Sequence, residues 1–252
     1  MSGIIIFDQS GMLATIAMNR PQKKNAINRD MYAQMADAIE AASANPQIKV
    51  LLIKSANENF TAGNDLADFL QNPSMDEGSP VYRFLQALIT CPLPVITAVK
   101  GFAIGIGSTM LLHCEQVFAD KTAIFALPFV NLGLVPEAGS SLLLPRLTGY
   151  QRAADLLLTG RNFHADEALQ YGFINRLVDD ADQAALDYAQ LLCEKPRSSL
   201  IETKRLLRKD SEPLQQRLHD ELQAFVAGLK GPAAKEAMTA FMEKRKPDFT
   251  NF

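Results

Sequence analysis

Short apolar segments alternate with amphipathic ones through the first two thirds of the chain. The runs IIIFDQ and MLATIAMN flank a Ser10-Gly11 turn and predict a β-hairpin. Helically spaced apolar residues follow Asn28, which we expect to cap the first helix. IKVLLIKS, PVITAVKG and QVFADKTAIFAL predict further strands, with a helix over residues 80–90 between the first two. This alternation predicts an α/β core with crossover connections.

After Glu137 the apolar spacing is helical almost throughout, so we expect helices alone in the last third. The predicted helices span residues 139–148, 150–159, 165–171, 181–194, 197–209, 213–229 and 232–245. One apolar stripe has no predicted sheet to cover; it consists of Leu214, Leu218, Leu222, Phe225 and Leu229. We therefore expect the C-terminal helices to pack on the core or on a neighbouring subunit.

The composition is that of a globular protein that can bury a large core, with 252 residues, 48% hydrophobic and 21% charged. A formal net charge of −3 argues against a chain that binds nucleic acid as a whole. The charge is uneven, since residues 1–194 carry −7 and residues 195–246 carry +5. The basic segment is either a solvated helical surface or a docking site for an anionic ligand.

Several classes of protein are disfavoured by what the chain lacks. The three cysteines have no spacing typical of a zinc site or a disulfide framework, and the three histidines have none typical of a metal site or a catalytic triad. The N-terminal segment has no features of a secretory signal, and GFAIGIGSTMLL is too short and too rich in Gly and Ser to span a bilayer. We expect a cytoplasmic protein without a bound metal and without a membrane partner.

Three predicted junctions between a loop and a helix follow strands, at residues 62–65, 105–107 and 136–139. Such junctions present backbone N–H groups that the helix itself cannot use. Two of them directed at one point would form an oxyanion hole; alternatively, the glycines only form turns and allow close packing. Met110 stands where a dinucleotide-binding GxGxxG motif needs glycine, and Ser108 lacks the flanking glycines of a nucleophile elbow.

Glu137 is the only acidic residue between Asp120 and Asp155, at the end of an apolar run. It could cap the helix that begins near Ala138, where the helix dipole favours an acid. It could equally be a carboxylate in a dry environment, where its raised pKa would suit it to abstract carbon-bound protons. The local sequence favours neither interpretation.

Taken together, these segments resemble the crotonase superfamily, also called the enoyl-CoA hydratase/isomerase family, over essentially the whole chain. The matching segments are NRPQKKNAIN, FTAGNDL, AVKGFAIGIG, NLGLVPEAGSS, LLLTGRNFHADEALQYGFINRLV and FMEKRKPDF. The resemblance implies a spiral of ββα units with an acyl-CoA pocket, over residues 1–195, and a helical region over residues 196–252 that builds trimers or hexamers. It also implies an acyl-CoA thioester substrate and no cofactor beyond the coenzyme A of that substrate.

The resemblance assigns roles to individual positions. The N–H groups of Asn64 and Ile106 would stabilise an enolate, with Gly63 and Gly105 shaping the two turns. Coenzyme A and the acyl group would contact pocket residues, which are Lys24, Ala26, Ala62, Asp65, Leu66 and Phe129. Phe241 and Lys244 would reach the nucleotide of coenzyme A, so part of the basic segment would have an anionic partner.

Departures from the hydratase pattern indicate the subfamily. The two glutamates of hydratases would fall at Thr109 and Phe129, neither of which can transfer a proton in their place. A carboxylate instead stands at Glu137, where hydratases usually carry glycine. The segments KKNAIN, AGNDL and PEAGSS are similar to signatures of the peroxisomal type of Δ3,Δ2-enoyl-CoA isomerase. The resemblance therefore implies that Glu137 transfers a proton from C2 to C4 of a 3-enoyl-CoA.

Alternatives remain open at this point. One is another crotonase-type reaction, such as the isomerisation of ring-opened or oxepin-type thioesters in aromatic degradation, or weak hydration. Another is a catalytically silent scaffold that binds acyl-CoA. We also expect residues 72–80 to form a mobile loop near the acyl pocket.

Overall fold

The structure is a computed structural model that describes residues 3–71, 78–209 and 212–250. Its strands are β1 (Ile5–Ser10), β2 (Leu13–Met18), β3 (Val50–Ser55), β4 (Val95–Val99), β5 (Phe102–Ile104), β6 (Gln116–Ala119), β7 (Ile124–Ala126), β8 (Asn162–His164) and β9 (Arg176–Leu177). Its α-helices are α1 (Arg29–Ala44), α2 (Leu66–Gln71), α3 (Pro80–Thr90), α4 (Ile106–Thr109), α5 (Ser140–Thr148), α6 (Tyr150–Thr159), α7 (Ala165–Gln170), α8 (Ala181–Cys193), α9 (Arg197–Leu207), α10 (Glu212–Leu229) and α11 (Pro232–Met242).

The strands form two sheets. The larger has the order β1-β2-β3-β4-β6-β9, and its strands pair in parallel except for the antiparallel hairpin of β1 and β2. The smaller has the order β5-β7-β8, with β5 and β7 parallel and β8 antiparallel to β7. Parallel pairing requires a crossover between strands, as the alternating pattern predicts. The predicted α/β class is confirmed.

Local signals in the sequence account for the first elements. In the hairpin, Ser10 pairs with Leu13 across a turn in which Gly11 has a φ of 60°. Asn28 caps α1 as predicted, because its side chain accepts a hydrogen bond of 3.0 Å from the backbone N–H of Met31. Ser79 caps α3 in the same way, at 3.2 Å from the N–H of Tyr82.

The expectation that helices alone follow Glu137 is wrong at two places, β8 and β9. Both strands are too short, with three and two residues, to show an alternating pattern in the sequence. β8 is held in place by Phe163, which is buried at 5.4 Å from Phe125 between ring centroids. β9 extends the larger sheet by pairing with the end of β6.

The C-terminal helices α10 and α11 pack on the core of the same chain, which was the first of the two expected arrangements. Leu214, Leu218, Phe225 and Met238 are buried in one cluster with residues of the strands. A Cβ atom at Gly133 would lie 2.7 Å from the backbone of α11. The close contact between the chain at Gly133 and α11 therefore requires glycine. The division into residues 1–195 and 196–252 stays a prediction.

Two further expectations concern the segment 72–80 and membranes. Residues 72–77 of the expected loop lie outside the described residues, and its last two residues are the N-cap Ser79 and the first residue of α3, Pro80. Of the helices that the structure describes, none combines the length and the apolar character needed to cross a bilayer.

Candidate active site

The first two loop-to-helix junctions of the sequence lie side by side. Thr61 forms a parallel bridge with β5, in which its N–H donates to the carbonyl oxygen of Phe102 at 2.7 Å and its carbonyl accepts from Ile104 at 3.1 Å. Gly63 has a φ of 92°, and a Cβ atom there would lie only 2.8 Å from the carbonyl oxygen of Ile104. A side chain at this position would therefore separate the two loops.

Two backbone donors at these junctions remain available. The bridge between Ile27 and Asn64 uses the carbonyl of Gly63 and the N–H of Asp65, so the N–H of Asn64 itself points away from Ile27. Ile106 is the first residue of α4, where the N–H has no partner within the helix. Among the described residues, no protein group accepts a hydrogen bond from either N–H.

The side chain of Asn64 is also held. The hydroxyl of Tyr32 on α1 donates to its Oδ1 at 2.5 Å. Burial, with a smaller contribution from the charge of Glu137, keeps the pKa of Tyr32 well above its usual value. The hydroxyl therefore stays protonated and orients the loop that presents the N–H of Asn64.

A cavity of about 530 Å³ opens in front of the two donors, with a mostly apolar lining. Of the residues that the sequence predicted for the site, it is lined by Ala26, Ala62, Gly63, Asn64, Asp65, Leu66, Gly105, Ile106, Phe129 and Phe241. Further lining residues that the prediction missed include Lys23, Ile104, Leu132, Leu134, Phe225 and Met238. The structure thus brings most of the predicted residues together around one space.

Two predicted contacts for coenzyme A, Lys24 and Lys244, lie outside the lining of this cavity. Lys24 ends a short turn in the left-handed conformation, with its Nζ 4.8 Å from the ring centroid of Phe102, and lines a separate cavity of about 260 Å³. Its neighbour Lys23 lines the large cavity instead. Lys244 is exposed just after α11, whereas Phe241 on that helix reaches the lining.

Glu137 is buried, with 5% of its surface exposed, and accepts a hydrogen bond from the hydroxyl of Thr109. Burial raises the pKa of Glu137 to about 8; the Thr109 hydrogen bond opposes the rise, and the charge of Glu221 adds to it. The dry environment that was one of the two interpretations of Glu137 is therefore present. Its direct partner is Thr109, the residue that the family resemblance places at a hydratase glutamate position.

The interpretation of Glu137 as a helix cap is wrong. Helix α5 begins at Ser140, and Gly139 at its N-cap provides no side chain. The carboxylate of Glu221 on α10 provides the cap instead: it accepts from the N–H of Gly139 at 2.6 Å and from that of Ser141 at 2.9 Å. The sequence analysis missed Glu221. Its spacing of three residues from Leu218 places this acid on the same helix face as the apolar stripe, which was a usable signal of a buried carboxyl.

Glu137 lies in a separate small cavity of about 20 Å³, room for a single water molecule. Its walls come from α3, α10 and Ala138. The buried side chain of Phe225 lines both this cavity and the large one. Phe225 is therefore part of the wall of both the cavity of the two backbone donors and the cavity of the carboxylate.

The profile of the enoyl-CoA hydratase/isomerase family matches residues 8–251. The chain belongs to this family. Similar proteins include the 1,2-epoxyphenylacetyl-CoA isomerase of Escherichia coli K12, 34% identical over 99% of both chains. The crotonyl-CoA hydratase of Syntrophomonas wolfei is 33% identical over 97% of each. A crystal structure of an enoyl-CoA hydratase/isomerase from Pseudoalteromonas atlantica superposes with a TM-score of 0.94 at 40% identity, covering 98% of this chain and 100% of that one.

These similarities confirm the superfamily and the crotonase fold that the sequence predicted. The relatives include both hydratases and isomerases, so the family alone leaves the reaction of this enoyl-CoA hydratase/isomerase open between the two. The resemblance to the peroxisomal type of Δ3,Δ2-isomerase stays a prediction.

Within this family member, the carboxyls of Asp65 and Glu137 differ in basicity. Asp65 lines the large cavity and pairs with Arg20 at 2.7 Å. Burial opposes its ionisation, but the hydrogen bond and charge of Arg20, with two backbone N–H groups, outweigh burial and hold the pKa of Asp65 below its usual value. Asp65 is thus a weak base held by an ion pair, and Glu137 is the stronger base.

Proposed function

We propose that this member of the family is an enoyl-CoA isomerase that converts a 3-enoyl-CoA to a 2-enoyl-CoA. The observation that carries the proposal is the buried carboxyl of Glu137, which accepts a hydrogen bond from Thr109. By the resemblance, Thr109 occupies the position of the first hydratase glutamate. The position of the second hydratase glutamate is Phe129, an apolar wall of the large cavity. A 1,3-proton shift needs one group that can both take and return a proton, whereas hydration requires an activated water and a proton donor.

In the proposed reaction the thioester oxygen accepts hydrogen bonds from the N–H groups of Asn64 and Ile106. The carboxylate of Glu137 removes a proton from C2, and the electron pair of that C–H bond delocalises over C4 and the thioester oxygen as a dienolate. The carboxylic acid of Glu137 then donates the same proton to C4, which leaves the double bond conjugated with the thioester. The two donors stabilise the charge where it develops.

The acyl group would reach Glu137 from the large cavity. Because Phe225 lines both cavities and the small one holds only about 20 Å³, a bound acyl chain would have to displace this side chain. The apolar lining would then exclude water from the dienolate, which favours proton return over side reactions.

A second candidate is the isomerisation of a ring-containing thioester. It is supported by the similarity to the 1,2-epoxyphenylacetyl-CoA isomerase over nearly the whole chain. The same two donors and single carboxyl would serve such a reaction. Hydration, the activity named for the relative from Syntrophomonas wolfei, is a third candidate.

An assay of the purified protein on three substrates tests the proposal. A 3-enoyl-CoA, a 2-enoyl-CoA and 1,2-epoxyphenylacetyl-CoA are each incubated with enzyme, and products are followed by mass and by ultraviolet absorbance. We expect a double-bond shift without a change in mass, and little addition of water. Dominant hydration would contradict the proposal, and selective turnover of the epoxide would favour the second candidate.

The pH dependence should follow the ionisation of Glu137, since only the carboxylate can take a proton. We expect kcat/KM to rise with pH and to level off above about pH 8. Thr109→Val removes the hydrogen-bond donor that favours the ionised form of Glu137. The midpoint of the pH profile of kcat/KM should therefore move to higher pH in this variant. Activity at neutral pH should fall roughly tenfold for each pH unit of that shift, while activity at the plateau is largely kept.

Thr97→Val is a matched control, because the hydroxyl of Thr97 is buried but donates to the sulfur of Cys114. It should leave the pH profile unchanged. A midpoint that is identical in the Thr109 variant and in this control would show that Glu137 does not govern the profile.

The remaining expectations stay proposals for this enzyme. The reaction as written needs no group beyond the protein and the acyl-CoA. Within the described ranges, no cluster of three or more His, Cys, Asp or Glu residues could hold a metal ion. We propose a homotrimer or hexamer, from the resemblance that motivated this expectation. We also propose a cytoplasmic location.

A further inference from the structure

The turn that carries Glu137 has an unusual backbone. Ala138 has a φ of 58°, in the left-handed region that residues with a Cβ atom rarely occupy, and Gly139 follows with a φ of 71°. A backbone of this kind persists only when surrounding contacts hold it. The orientation of the Glu137 side chain depends on those contacts.

Two of the contacts come from the core side of the turn. The ring Nε2 of His113 lies 2.7 Å from the carbonyl oxygen of Ala138, and Ser140 donates to the carbonyl of Glu137 at 2.6 Å. Burial lowers the pKa of His113 to about 4, so the ring is neutral near pH 7. A carbonyl only accepts, so Nε2 carries the proton and donates it.

The contacts from the other side all end on Glu221 of α10. Its two carboxylate oxygens accept from the N–H of Gly139 at 2.6 Å, the N–H of Ser141 at 2.9 Å and the hydroxyl of Ser141 at 2.5 Å. Glu221 is only 6% exposed, so these donors replace its hydration. A Cβ atom at Gly139 would overlap Leu214, which shows how closely α10 approaches the turn.

We infer that Glu221 is a positioning residue for Glu137. From α10, Glu221 holds the turn 137–141 in the backbone conformation that directs the reacting carboxyl to Thr109. Its own carboxylate is also a second negative charge that acts on Glu137. The inference rests on the proposed function of Glu137 as the base. Glu221 does not line the cavities in which substrate would bind, so its effect is transmitted through the turn and through its charge.

Among the residues that the structure describes, few other charges act on this pair. The described titratable or charged groups that face it are Tyr32 on α1, Tyr82 on α3, His113, and Arg217 on α10. Tyr32 and His113 are neutral near pH 7, because burial raises the pKa of the first and lowers that of the second. Burial raises the pKa of Glu221, and the hydrogen bonds that it accepts from Ser141 and Gly139 oppose that rise. Arg217, which donates to the hydroxyl of Ser141 at 3.1 Å, also favours the ionised form of Glu221. Glu221 is therefore the nearby group whose charge opposes ionisation of Glu137.

Glu221→Gln tests the inference, with Asp220→Asn as the matched control. Asp220 is the preceding residue of α10, exposed and bonded to Gln216, so its variant makes the same charge change without touching the turn. Two quantities are measured on the full chain. One is kcat and KM for a 3-enoyl-CoA, and the other is the titration of Glu137 by carbon-13 NMR of labelled glutamate, assigned with Glu137→Gln.

We expect Glu221→Gln to lower kcat by roughly 10- to 100-fold with little change in KM, because the amide cannot accept from both N–H groups and the base is displaced. The Glu137 titration should move down by roughly half a pH unit or more, since a like charge is lost. The control should change neither. A lower Tm without any shift of the Glu137 titration would mean that Glu221 is only a helix cap, and the inference would be overturned.

Glu221→Asp keeps the charge but has a side chain that is one methylene group shorter. This variant replaces Glu221→Gln in the test if the Gln variant does not fold. It should lower kcat while the Glu137 titration stays near that of the wild type; a wild-type kcat would overturn the inference. The NMR titration needs no turnover. If the proposed isomerase activity were absent but Glu221→Gln still shifted the titration, the function would fail while the coupling of the two carboxyls would stand.

Discussion

Glu137→Gln should reduce the isomerisation of a 3-enoyl-CoA by roughly 10³-fold or more in kcat, the scale of a lost acid/base group. The amide keeps the shape of the side chain and can still accept from Thr109, but it cannot take or return a proton. Binding should change little, because the cavity that faces the oxyanion donors is lined by other residues. The measurement is kcat by ultraviolet absorbance, together with the Kd of a saturated acyl-CoA.

Two controls separate lost chemistry from lost structure. Glu194→Gln changes an exposed carboxyl at the end of α8 and should keep full activity. The stability of the wild type relative to the Glu137 variant should also depend on pH in a defined direction. The pKa of Glu137 is raised from 4.5 to about 8 by burial, so its stabilising effect is present at low pH and is lost as pH rises toward 8.

The Gln variant lacks this titration. The Tm of the variant minus that of the wild type should therefore rise between about pH 5 and about pH 9, by on the order of 5–10 °C. A Tm difference that does not change with pH would show that the pKa of Glu137 is not raised in the folded protein. A Gln variant that isomerises at the rate of the wild type would remove Glu137 from the mechanism altogether.

Ile106→Pro should lower kcat by about 10²- to 10³-fold, the usual effect of removing one oxyanion donor. Ile106 is the first residue of α4, a position where proline fits because the N–H is not used by the helix. The preceding residue, Gly105, has a φ of 58° and a ψ of −118°, outside the right-handed helical region that proline disfavours before it. The substitution thus removes a backbone donor with limited disturbance.

Ile106→Val is the control, since valine also shortens the buried side chain but keeps the N–H. It should retain kcat within a few-fold of the wild type. The KM should change less than kcat in the Pro variant, because the hydrogen bond is strongest when the thioester oxygen is charged. Equal kcat values for the Pro and Val variants would rule out the Ile106 N–H as an oxyanion donor.

Much of the fold could be predicted from local patterns. The alternation of apolar and amphipathic segments predicted the α/β class, and Asn28 marked the start of α1. The strands β8 and β9 escaped prediction because strands of two or three residues form through pairing with a distant neighbour. Their own residues carry too short a pattern to indicate it.

The candidate site divides in the same way. The sequence placed Asn64 and Ile106 after glycine-containing turns, and the structure shows both N–H groups without a protein acceptor among the described residues. The sequence could not show which of two adjacent lysines, Lys23 or Lys24, lines the large cavity. This choice depends on a short helical turn that ends in the left-handed conformation at Lys24.

By itself, the sequence determined that one isolated carboxyl, Glu137, ends an apolar run. Its resemblance to the family implies that Thr109 and Phe129 stand where hydratases have their two glutamates. Whether Glu137 caps a helix or lies in a dry pocket was decided only by the tertiary structure. Glu221 binds the N–H of Gly139 from 82 residues further along the chain, and α10 buries the turn. Apolar spacing shows which face of an element is buried, but the pKa of a carboxyl depends on the groups that other segments bring to it.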